Sequence, residues 1–349
     1  MKTPIQKILF GSPGTGKSHT IDKVIIPNDL GITSPENVIK TVFHPEYTYG
    51  DFMGKLMPLT TSDAKVEYKF YEGHFLKALA QAYKNILSSQ EEEEIKNVAL
   101  VIDEINRGNS SAIFGTVFQL LDRGKNGWSD YGINVSDLEF QSMINLIGFR
   151  RVGEENKIPT YTYGRHTSGK KLEEYHEILS KIYIQVEKSK VVGSSLRIPP
   201  NLSILATMNT SDNSIYFMDS AFKRRWDWEF VNWDWDDSKP PAAKYCTGGT
   251  LDEDKWKKLI KNLNGFIKSH HTSIRGIEDK QIGYYFIKQP VTAEQIQNKL
   301  MFFLWDSVFN RDKKPLVDLL KVTRDELVTF GDFTKLHNEF ITNIMNLKV

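Results

Sequence analysis

The stretch KILFGSPGTGKSHT, residues 7–20, decides the fold because it joins a short apolar run to a glycine-rich loop. Residues 8–10 are apolar, and residues 11–18 match the pattern G-x-x-x-x-G-K-[ST] at every fixed position. Glycines let such a loop curl so that its backbone N–H groups point at phosphates, and the N-terminus of the next helix adds positive charge. The stretch therefore predicts a strand, a phosphate-binding loop and a helix, with a nucleoside triphosphate as ligand.

The loop also assigns roles to individual residues. Lys17 is expected to bind the β- and γ-phosphates, and the Ser18 hydroxyl is expected to coordinate Mg²⁺. The predicted nucleotide-binding residues are Gly11, Ser12, Pro13, Gly14, Thr15, Gly16, Lys17, Ser18 and His19.

A second apolar run, VALVIDE at residues 98–104, is continuous, as expected of a parallel strand covered on both faces. Asp103 is placed to hold Mg²⁺ through water, and Glu104 to orient and deprotonate the water that attacks the γ-phosphate. Solvated carboxylates are common at strand ends, but the phosphate-binding loop favours the catalytic interpretation. The segment that follows carries an apolar stripe, interpreted as core packing, at Ile113, Phe114, Val117, Leu120 and Leu121.

A third apolar run, LSILATMN at residues 202–209, follows the prolines of residues 197–201, which disfavour a helix before it. If this strand lies beside the other two, Asn209 stands near Glu104 and the γ-phosphate, because ligands of open α/β sheets bind beyond the carboxyl ends of the strands. The amide can hydrogen-bond both the phosphate and the attacking water. Asp212 is expected to act on the turn, as an N-cap or as the partner of a basic residue.

Two arginines end a short predicted helix within FMDSAFKRRWDWEF, residues 217–230, ahead of a β-prone aromatic stretch. Cations at a helix C-terminus are ordinary partners of the helix dipole. An arginine that reaches a neighbouring subunit can instead stabilise charge on the transferring phosphoryl group, an effect worth about 10³–10⁵ in rate. Arg224 and Arg225 are therefore candidates for a catalytic arginine that acts in an assembly.

Composition indicates a globular protein and excludes few partners. With 349 residues, 40% of them hydrophobic, the chain is long enough for one large domain and a smaller one. The net charge of +1 means that contact with nucleic acid would need a local basic patch. The single cysteine, Cys246, excludes an internal disulfide. No apolar run is long enough to span a membrane and no signal-peptide pattern is present, so a soluble, cytoplasmic protein is expected.

The chain is predicted to form two domains. Residues 1–237 make the nucleotide-binding α/β domain, residues 238–250 are a polar linker rich in proline and glycine, and residues 251–349 make a small helical domain. Helices are expected in this last part at residues 251–269, near residues 293–308 and at residues 334–347.

An insertion of about residues 124–195 separates the second apolar run from the third. It contains the aromatic residues Trp128, Tyr131, Phe149, Tyr161 and Tyr163 and the basic residues Arg150, Arg151, Arg165, Lys170 and Lys171. This mixture suits a surface that contacts DNA or a partner protein. The favoured interpretation is a solvated β-hairpin and helix without a ligand. Periodic Leu, Tyr and Ile predict that helix at residues 171–190.

The order of these elements resembles the AAA+ class of P-loop NTPases and, more narrowly, the McrB-type subunits of modification-dependent restriction systems. Beyond the loop the resemblance rests on FHPEYTYGDFMGKLMP (43–58), VIDEINRGNSSAIFGTVFQLLD (101–122), IPPNLSILATMNTSDNS (198–214) and MDSAFKRRWDWEF (218–230). The MNTSD element is similar to the family's MNxxD signature, with Asn213 where family members usually have arginine. QIGYYFI (281–287) resembles a lid motif, with Tyr284 where histidine is usual.

The resemblance implies an α/β AAA+ fold, with a parallel sheet flanked by helices and a small C-terminal helical lid. It also implies a homo-oligomer, in the form of a hexameric ring, with nucleotide at each interface and Mg²⁺ as cofactor. GTP is the favoured nucleotide and ATP the alternative; no base-reading motif is visible, so GTP rests on the resemblance alone. His44 and Tyr47 resemble a family pattern near the nucleotide, or they pin a loop.

The resemblance further implies a motor that powers DNA translocation and cleavage by a McrC-like endonuclease and is not itself the nuclease. Ten residues precede Gly11, so DNA contact is assigned to another domain or another subunit. A MoxR-like ATPase that remodels a protein partner is the first rival, and it predicts ATP preference without dependence on DNA. A non-catalytic nucleotide-binding scaffold is the second, and it predicts that Glu104→Gln leaves function intact.

Overall fold

The computed structural model describes residues 2–60, 62–164, 168–187, 190–191, 196–209, 216–234, 253–287 and 291–347. The chain divides into two compact units. Unit 1 comprises Met1–Leu9, Ser18–Met208 and Ser214–Glu229, and unit 2 comprises Phe10–Lys17, Asn209–Asn213 and Phe230–Val349.

The strands are β1 (Gln6–Gly11), β2 (Val38–Val42), β3 (Gly54–Thr60), β4 (Val66–Glu72), β5 (Val98–Asp103), β6 (Arg150–Glu155), β7 (Ile158–Thr162), β8 (Val186–Glu187), β9 (Lys190–Val191), β10 (Leu202–Asn209) and β11 (Asp227–Phe230). The α-helices are α1 (Lys17–Thr20), α2 (Tyr49–Phe52), α3 (His74–Ser88), α4 (Ser110–Phe114), α5 (Asp137–Ile147), α6 (His176–Ser180), α7 (Ser220–Lys223), α8 (Glu253–Ser269), α9 (Ile277–Lys280), α10 (Ala293–Gln295), α11 (Lys314–Leu320), α12 (Phe330–Lys335) and α13 (His337–Met345). Turns of π-helix cover Ile21–Asp29, Ile296–Met301 and Leu304–Val308, and 3₁₀-turns cover Pro35–Asn37, Glu92–Glu94, Ile105–Arg107, Gly115–Leu121, Leu172–Tyr175, Tyr284–Phe286 and Arg324–Glu326.

The main sheet orders five strands of the described chain as β11-β1-β10-β5-β2. Both β10 and β2 run parallel to β5, with Leu202 opposite Val98 and Val42 opposite Asp103. The third apolar run, β10, therefore lies between the first run, β1, and the second run, β5. The predicted position of Asn209 depends on this arrangement. Residues 98–102 of β5 are at most 2% exposed, which confirms a strand covered on both faces.

The core of unit 1 packs helices against this sheet. Helix α3 buries one face at the 3.6-residue spacing of an amphipathic helix, through Phe75, Leu76, Leu79, Tyr83 and Ile86. The stripe predicted as core, from Ile113 to Leu121, is also confirmed, because its five apolar residues are at most 2% exposed. Burial of each such side chain stabilises the fold by roughly 1.5–3 kcal/mol.

The insertion is ordered around α5, which begins at a capping box formed by Ser136 and Glu139. Strands β6 and β7 follow as an antiparallel hairpin. Phe149 and Tyr161 are each 1% exposed, and the ring of Tyr163 stacks on Phe149 with 4.4 Å between centroids. Most of the aromatic residues singled out in the insertion therefore pack inside it, which favours an ordered element over a surface that stacks on DNA. Arg165 lies outside the described residues.

The helix predicted over residues 171–190 is wrong beyond its first half. A 3₁₀-turn and α6 end at Ser180, and the chain then turns through Tyr183, whose φ of 58° is left-handed, into the β8–β9 hairpin. Ile182 and Ile184 are both buried at a spacing of two. β-Branched and aromatic residues disfavour a helix and favour extended structure, and here that preference overrode the apolar periodicity.

An antiparallel hairpin that was not predicted joins β3 and β4, with Gly54 paired to Glu72 and Thr60 to Val66. Strand β4 alternates apolar and polar residues from Val66 to Phe70, which is a strand signal, whereas β3 shows no such alternation. Most residues of the hairpin, in both strands, are exposed. Its root is fixed by a hydrogen bond from the Gly73 N–H to the Met53 carbonyl at 2.9 Å.

Unit 2 contains the predicted C-terminal helical region. Helix α8 buries Trp256, Leu259, Ile260 and Leu263 completely, as its spacing predicted. Residues 293–308 are helical, with α10 continuing into the two π-turns, whereas the last predicted helix is two helices, α12 and α13. The linker at residues 238–250 and Cys246 lie outside the described residues, so the domain boundaries stay a prediction.

Candidate nucleotide-binding site

Three polar side chains of unit 1, Ser18, Asp103 and Thr207, form what we call the strand-end cluster. Asp103 Oδ1 accepts a hydrogen bond from Thr207 Oγ1 at 2.8 Å and one from Ser18 Oγ at 3.2 Å. Thr207 Oγ1 in turn accepts from the backbone N–H of Glu104 at 3.2 Å. The cluster brings together Ser18 and Asp103, the two residues predicted to bind a metal ion.

Glu104 follows β5 in a left-handed backbone conformation, with φ 56° and ψ 47°. This conformation costs a non-glycine residue roughly 1–2 kcal/mol, and such strain persists where neighbouring groups fix it, often at functional sites. Thr207 is one of those neighbouring groups, because its hydroxyl accepts a hydrogen bond from the Glu104 N–H. The turn therefore ends the strand and redirects the chain at the residue predicted to be the general base.

Thr207 was missed as a site residue. It is 3% exposed and supplies the hydroxyl that both donates to Asp103 and accepts from the Glu104 N–H. The available signal was a polar residue inside the apolar run LSILATMN, since a buried hydroxyl requires a partner. The partner itself lies about a hundred residues earlier in the chain, so the sequence does not identify it.

The glycine-rich loop lies in unit 2 and has the curled backbone that its pattern predicts. Gly14 and Gly16 have φ of 76° and 90°, in the left-handed region that favours glycine. The Thr15 hydroxyl closes the curve by donating to the Ser12 carbonyl at 3.1 Å.

Lys17 is held against the loop that precedes it. Its side chain is buried, at 7% exposure, and Nζ donates to the carbonyls of Gly11 at 2.9 Å and Ser12 at 2.8 Å. A buried ammonium needs hydrogen-bond acceptors, and here main-chain carbonyls supply them. His19, the last residue assigned to the nucleotide, is exposed in α1.

Asn209 is the last residue of β10 and is half-buried. Its predicted contact with the γ-phosphate stays a prediction. Asp212 and Asn213, the other residues singled out in this segment, lie outside the described residues.

Arg224 and Arg225 have different surroundings. Arg225 is 9% exposed in its side chain, pairs with Asp122 at 2.6 Å and lies over the ring of Phe118 at 4.0 Å. Its Nη1 also donates to the Ala221 carbonyl at 2.8 Å. Arg224 is the exposed C-cap of α7. The contacts of Arg225 are those of a residue that fixes the fold, and they favour Arg224 for the predicted role in a neighbouring subunit.

Thr41, Tyr47 and His74, which we call the Tyr47 network, lie at the root of the β3–β4 hairpin. The Tyr47 hydroxyl is 2.8 Å from His74 Nδ1 and accepts from Thr41 Oγ1 at 3.2 Å. Burial raises the pKa of Tyr47 to about 12 and lowers the pKa of His74. Both groups are therefore neutral near pH 7, and these contacts favour the interpretation in which Tyr47 pins the loop.

Among the residues that the structure describes, no group of three or more His, Cys, Asp or Glu side chains is placed to hold a metal ion. Within the same residues, no helix has both the length and the apolarity needed to cross a lipid bilayer.

Three features define the class of P-loop nucleoside triphosphatases. They are a parallel sheet, a glycine-rich loop that ends in the buried Lys17, and the Asp103 carboxylate that accepts a hydrogen bond from Ser18. The family model described as AAA domain, dynein-related subfamily, matches residues 6–226. This range is more than half of the chain, and the chain belongs to that family.

Two relatives carry names from restriction systems. The chain is 26% identical to the type II restriction enzyme BsuMI component YdiS of Bacillus subtilis, over 93% of this chain and 85% of that protein. It is 24% identical to the type IV methyl-directed restriction enzyme EcoKMcrB subunit of Escherichia coli, over 62% of this chain and 33% of that protein. These names agree with the resemblance to McrB-type subunits.

Proposed function

We propose that this chain is a nucleoside triphosphatase that works as the motor subunit of a DNA restriction system. The observation that carries the proposal is the hydrogen bond between Asp103 and Ser18, the residue directly after the P-loop lysine. A carboxylate beside a hydroxyl offers the hard oxygen ligands that Mg²⁺ prefers. The restriction-system names of the two relatives support the biological half of the proposal.

In this proposal Ser18 and Asp103 hold Mg²⁺, which when bound neutralises charge on the β- and γ-phosphates. Lys17 exchanges its loop carbonyls for phosphate oxygens, because a charged acceptor forms the stronger hydrogen bond with an ammonium. Thr207 is a positioning residue that fixes the Asp103 carboxylate and the Glu104 turn.

Glu104 takes a proton from the attacking water, and Asn209 orients that water by a hydrogen bond. The water oxygen bonds to the γ-phosphorus while the bond from that phosphorus to the bridging β-phosphate oxygen breaks. The products are a nucleoside diphosphate and inorganic phosphate.

Arg224 supplies positive charge to the nucleotide of a neighbouring copy, in a homo-oligomer that we propose is a hexameric ring. The exposure of Arg224 supports this assignment, since a residue acting across an interface must be accessible in a single copy. Arg225, already paired with Asp122, supports the local fold.

GTP is the favoured nucleotide, on the resemblance to McrB-type subunits, and ATP is the alternative. We propose a McrC-like endonuclease as partner, DNA contact through another domain or subunit, and a cytoplasmic location. The second candidate function is a MoxR-like ATPase that remodels a protein partner, because the AAA-domain match does not distinguish an ATPase from a GTPase.

The test is turnover of GTP and of ATP by the purified protein, with and without DNA and the cognate nuclease subunit. Faster GTP hydrolysis that rises with the nuclease subunit supports the proposal. Lys17→Ala should remove hydrolysis, whereas Lys23→Ala, an exposed lysine on the following helical turn, should not. ATP preference without any response to DNA or nuclease would favour the remodelling ATPase, and hydrolysis of neither would favour a scaffold.

A further inference from the structure

A lid segment of unit 2, residues 282–285, is bonded to the P-loop through its backbone. The Gly283 N–H donates to the Pro13 carbonyl at 2.9 Å, and the Tyr285 N–H donates to the Gly14 carbonyl at 2.8 Å. Both acceptors belong to the curved part of the loop. A phosphate-binding loop turns its N–H groups inward, so its carbonyls point away from the ligand and need donors elsewhere.

Ile282 and Tyr284, which alternate with Gly283 and Tyr285 along the segment, are hydrogen-bonded to side chains of helix α8. Asn264 Nδ2 donates to the Ile282 carbonyl at 2.8 Å, and Asn264 Oδ1 accepts from the Ile282 N–H at 2.9 Å. Trp256 Nε1 donates to the Tyr284 carbonyl at 3.0 Å. Asn264 and Trp256 are both completely buried, so their contacts fix the segment to the core of unit 2.

The two backbones approach so closely that no side chain fits between them. A Cβ added to Gly283 would lie 2.3 Å from the Gly14 carbonyl carbon and oxygen and 2.5 Å from the Thr15 nitrogen. The φ of Gly283 is −84°, which any residue adopts. Glycine is therefore required here by the neighbouring loop and not by its own conformation. From the other side, a Cβ on Gly14 would lie 2.5 Å from the nitrogen and Cα of Phe286.

We propose that residues 282–285 form a lid clamp that holds the P-loop in its phosphate-binding conformation, with Gly283 as a positioning residue for nucleotide binding. This inference rests on the proposed nucleotide function. A loop that is already ordered pays less conformational entropy when the phosphates bind. Without the clamp, nucleotide binding must itself order the P-loop. The affinity for nucleotide therefore falls, while the rate at which bound nucleotide is hydrolysed is retained.

The test compares wild type with Gly283→Ala, and with Gly331→Ala as the matched control, by calorimetric titration with GTP and with ATP and by steady-state turnover. The nearest atom to a Cβ on Gly331 is the Thr329 hydroxyl at 3.5 Å, an ordinary contact in the same lid. Gly283→Ala should raise Kd and KM about tenfold, the scale of one to two lost hydrogen bonds. It should leave kcat at saturating nucleotide within about twofold, and Gly331→Ala should change neither. A purely structural glycine would instead lower the thermal midpoint and leave Kd of the folded fraction unchanged.

Amide hydrogen exchange on the wild type covers the case in which Gly283→Ala does not fold. The Gly283 and Tyr285 amides should exchange slowly without nucleotide and more slowly with it. Exchange at the rate of exposed amides in both states overturns the clamp, and so does a Gly283→Ala protein that binds as tightly as wild type. A wild type that binds neither nucleotide overturns the proposed function instead, so the two failures are distinct.

Discussion

The strand-end cluster joins two hydroxyl side chains to a carboxylate, and the Tyr47 network joins two hydroxyl side chains to an imidazole, but the two lie in different surroundings. In the strand-end cluster the Ser18 hydroxyl is exposed, and the Asp103 carboxylate at the end of β5 is half-buried. In the Tyr47 network the Tyr47 and Thr41 hydroxyls are buried and bond to one another. Polar groups that keep access to solvent can exchange partners with a ligand, whereas buried groups that satisfy one another hold the fold.

This contrast divides substitutions into two kinds. Loss of an accessible polar group at a strand or helix end should reduce turnover and leave stability unchanged. Loss of a buried and paired group should reduce the free energy of unfolding and leave the turnover of the folded protein nearly unchanged. The two neighbouring arginines provide the sharpest comparison, because one belongs to each kind.

Of the two arginines, Arg224→Ala should have the larger effect on turnover. An arginine that reaches the phosphoryl group of a neighbouring subunit is worth about 10³–10⁵ in rate. Hydrolysis should fall by about that factor at protein concentrations where wild type self-associates. The midpoint of thermal unfolding should stay that of wild type, since the side chain is exposed.

Arg225→Ala is the matched comparison. It removes the ion pair with Asp122 and the contact with Phe118, so the free energy of unfolding should fall by about 2 kcal/mol, a typical figure for a hydrogen bond to a charged group. Turnover per folded molecule should change little. The opposite result, with Arg225→Ala inactive and Arg224→Ala active, would show that exposure does not identify the catalytic arginine.

Glu104→Gln should have the next largest effect, with turnover lower by about 10²–10⁴, the range for loss of a general base. The amide keeps the shape of the side chain, so nucleotide affinity should be retained. Single-turnover hydrolysis and equilibrium binding measure the two quantities separately. The exposed Glu46 provides the control as Glu46→Gln, and full activity of Glu104→Gln would favour the scaffold.

The sequence predicts those parts of the fold that depend on local pattern. The strands β1, β5 and β10, the buried stripe after β5 and helix α8 each follow from apolar spacing within one short segment. The Lys17 loop follows from glycine positions that permit one particular curl. Ser18 and Asp103 were assigned to one metal ion from their motifs alone, and the structure brings them within hydrogen-bond distance.

The remaining features depend on partners that lie far away in the chain. Thr207 donates a hydrogen bond to Asp103, which lies 104 residues away in the sequence, and Arg225 pairs with Asp122, which lies 103 residues away. No local pattern encodes either contact. The error at residues 171–190 arose where apolar periodicity and β-branched composition disagreed. The β3–β4 hairpin was missed because β3 has no apolar–polar alternation; the alternation from Val66 to Phe70 in β4 was an available signal.

Thr207→Val tests the boundary of the comparison, because Thr207 is buried yet bonds to the strand-end cluster. Valine keeps the shape and removes the hydroxyl that serves Asp103 and Glu104. Turnover should fall by about tenfold and stability by about 1 kcal/mol, the net value of one hydrogen bond. Thr207→Ser keeps the hydroxyl and should restore turnover; a serine variant as slow as the valine variant would contradict the positioning role.

The Tyr47 network should produce the smallest effect, a dependence of stability on pH. Burial is the main cause that lowers the pKa of His74 below its ordinary value of 6.5, with a smaller contribution from the Lys77 charge. The backbone carbonyl and the carboxylate of Asp51 act in the opposite direction. The folded protein therefore keeps the His74 imidazole neutral to a lower pH than the unfolded chain does.

The sign of the pH dependence follows from proton binding. Just below pH 6.5 the unfolded state holds more protons at this position, so the free energy of unfolding falls as the pH falls. Above that pH the His74 contribution is constant. Denaturant unfolding of wild type and His74→Asn from about pH 7.5 to about 5.5 measures the difference, since asparagine does not titrate there. The wild type should lose stability more steeply than the variant below about pH 6.5, with equal turnover per folded molecule. Parallel curves would show that His74 titrates alike in both states and that the network does not hold it neutral.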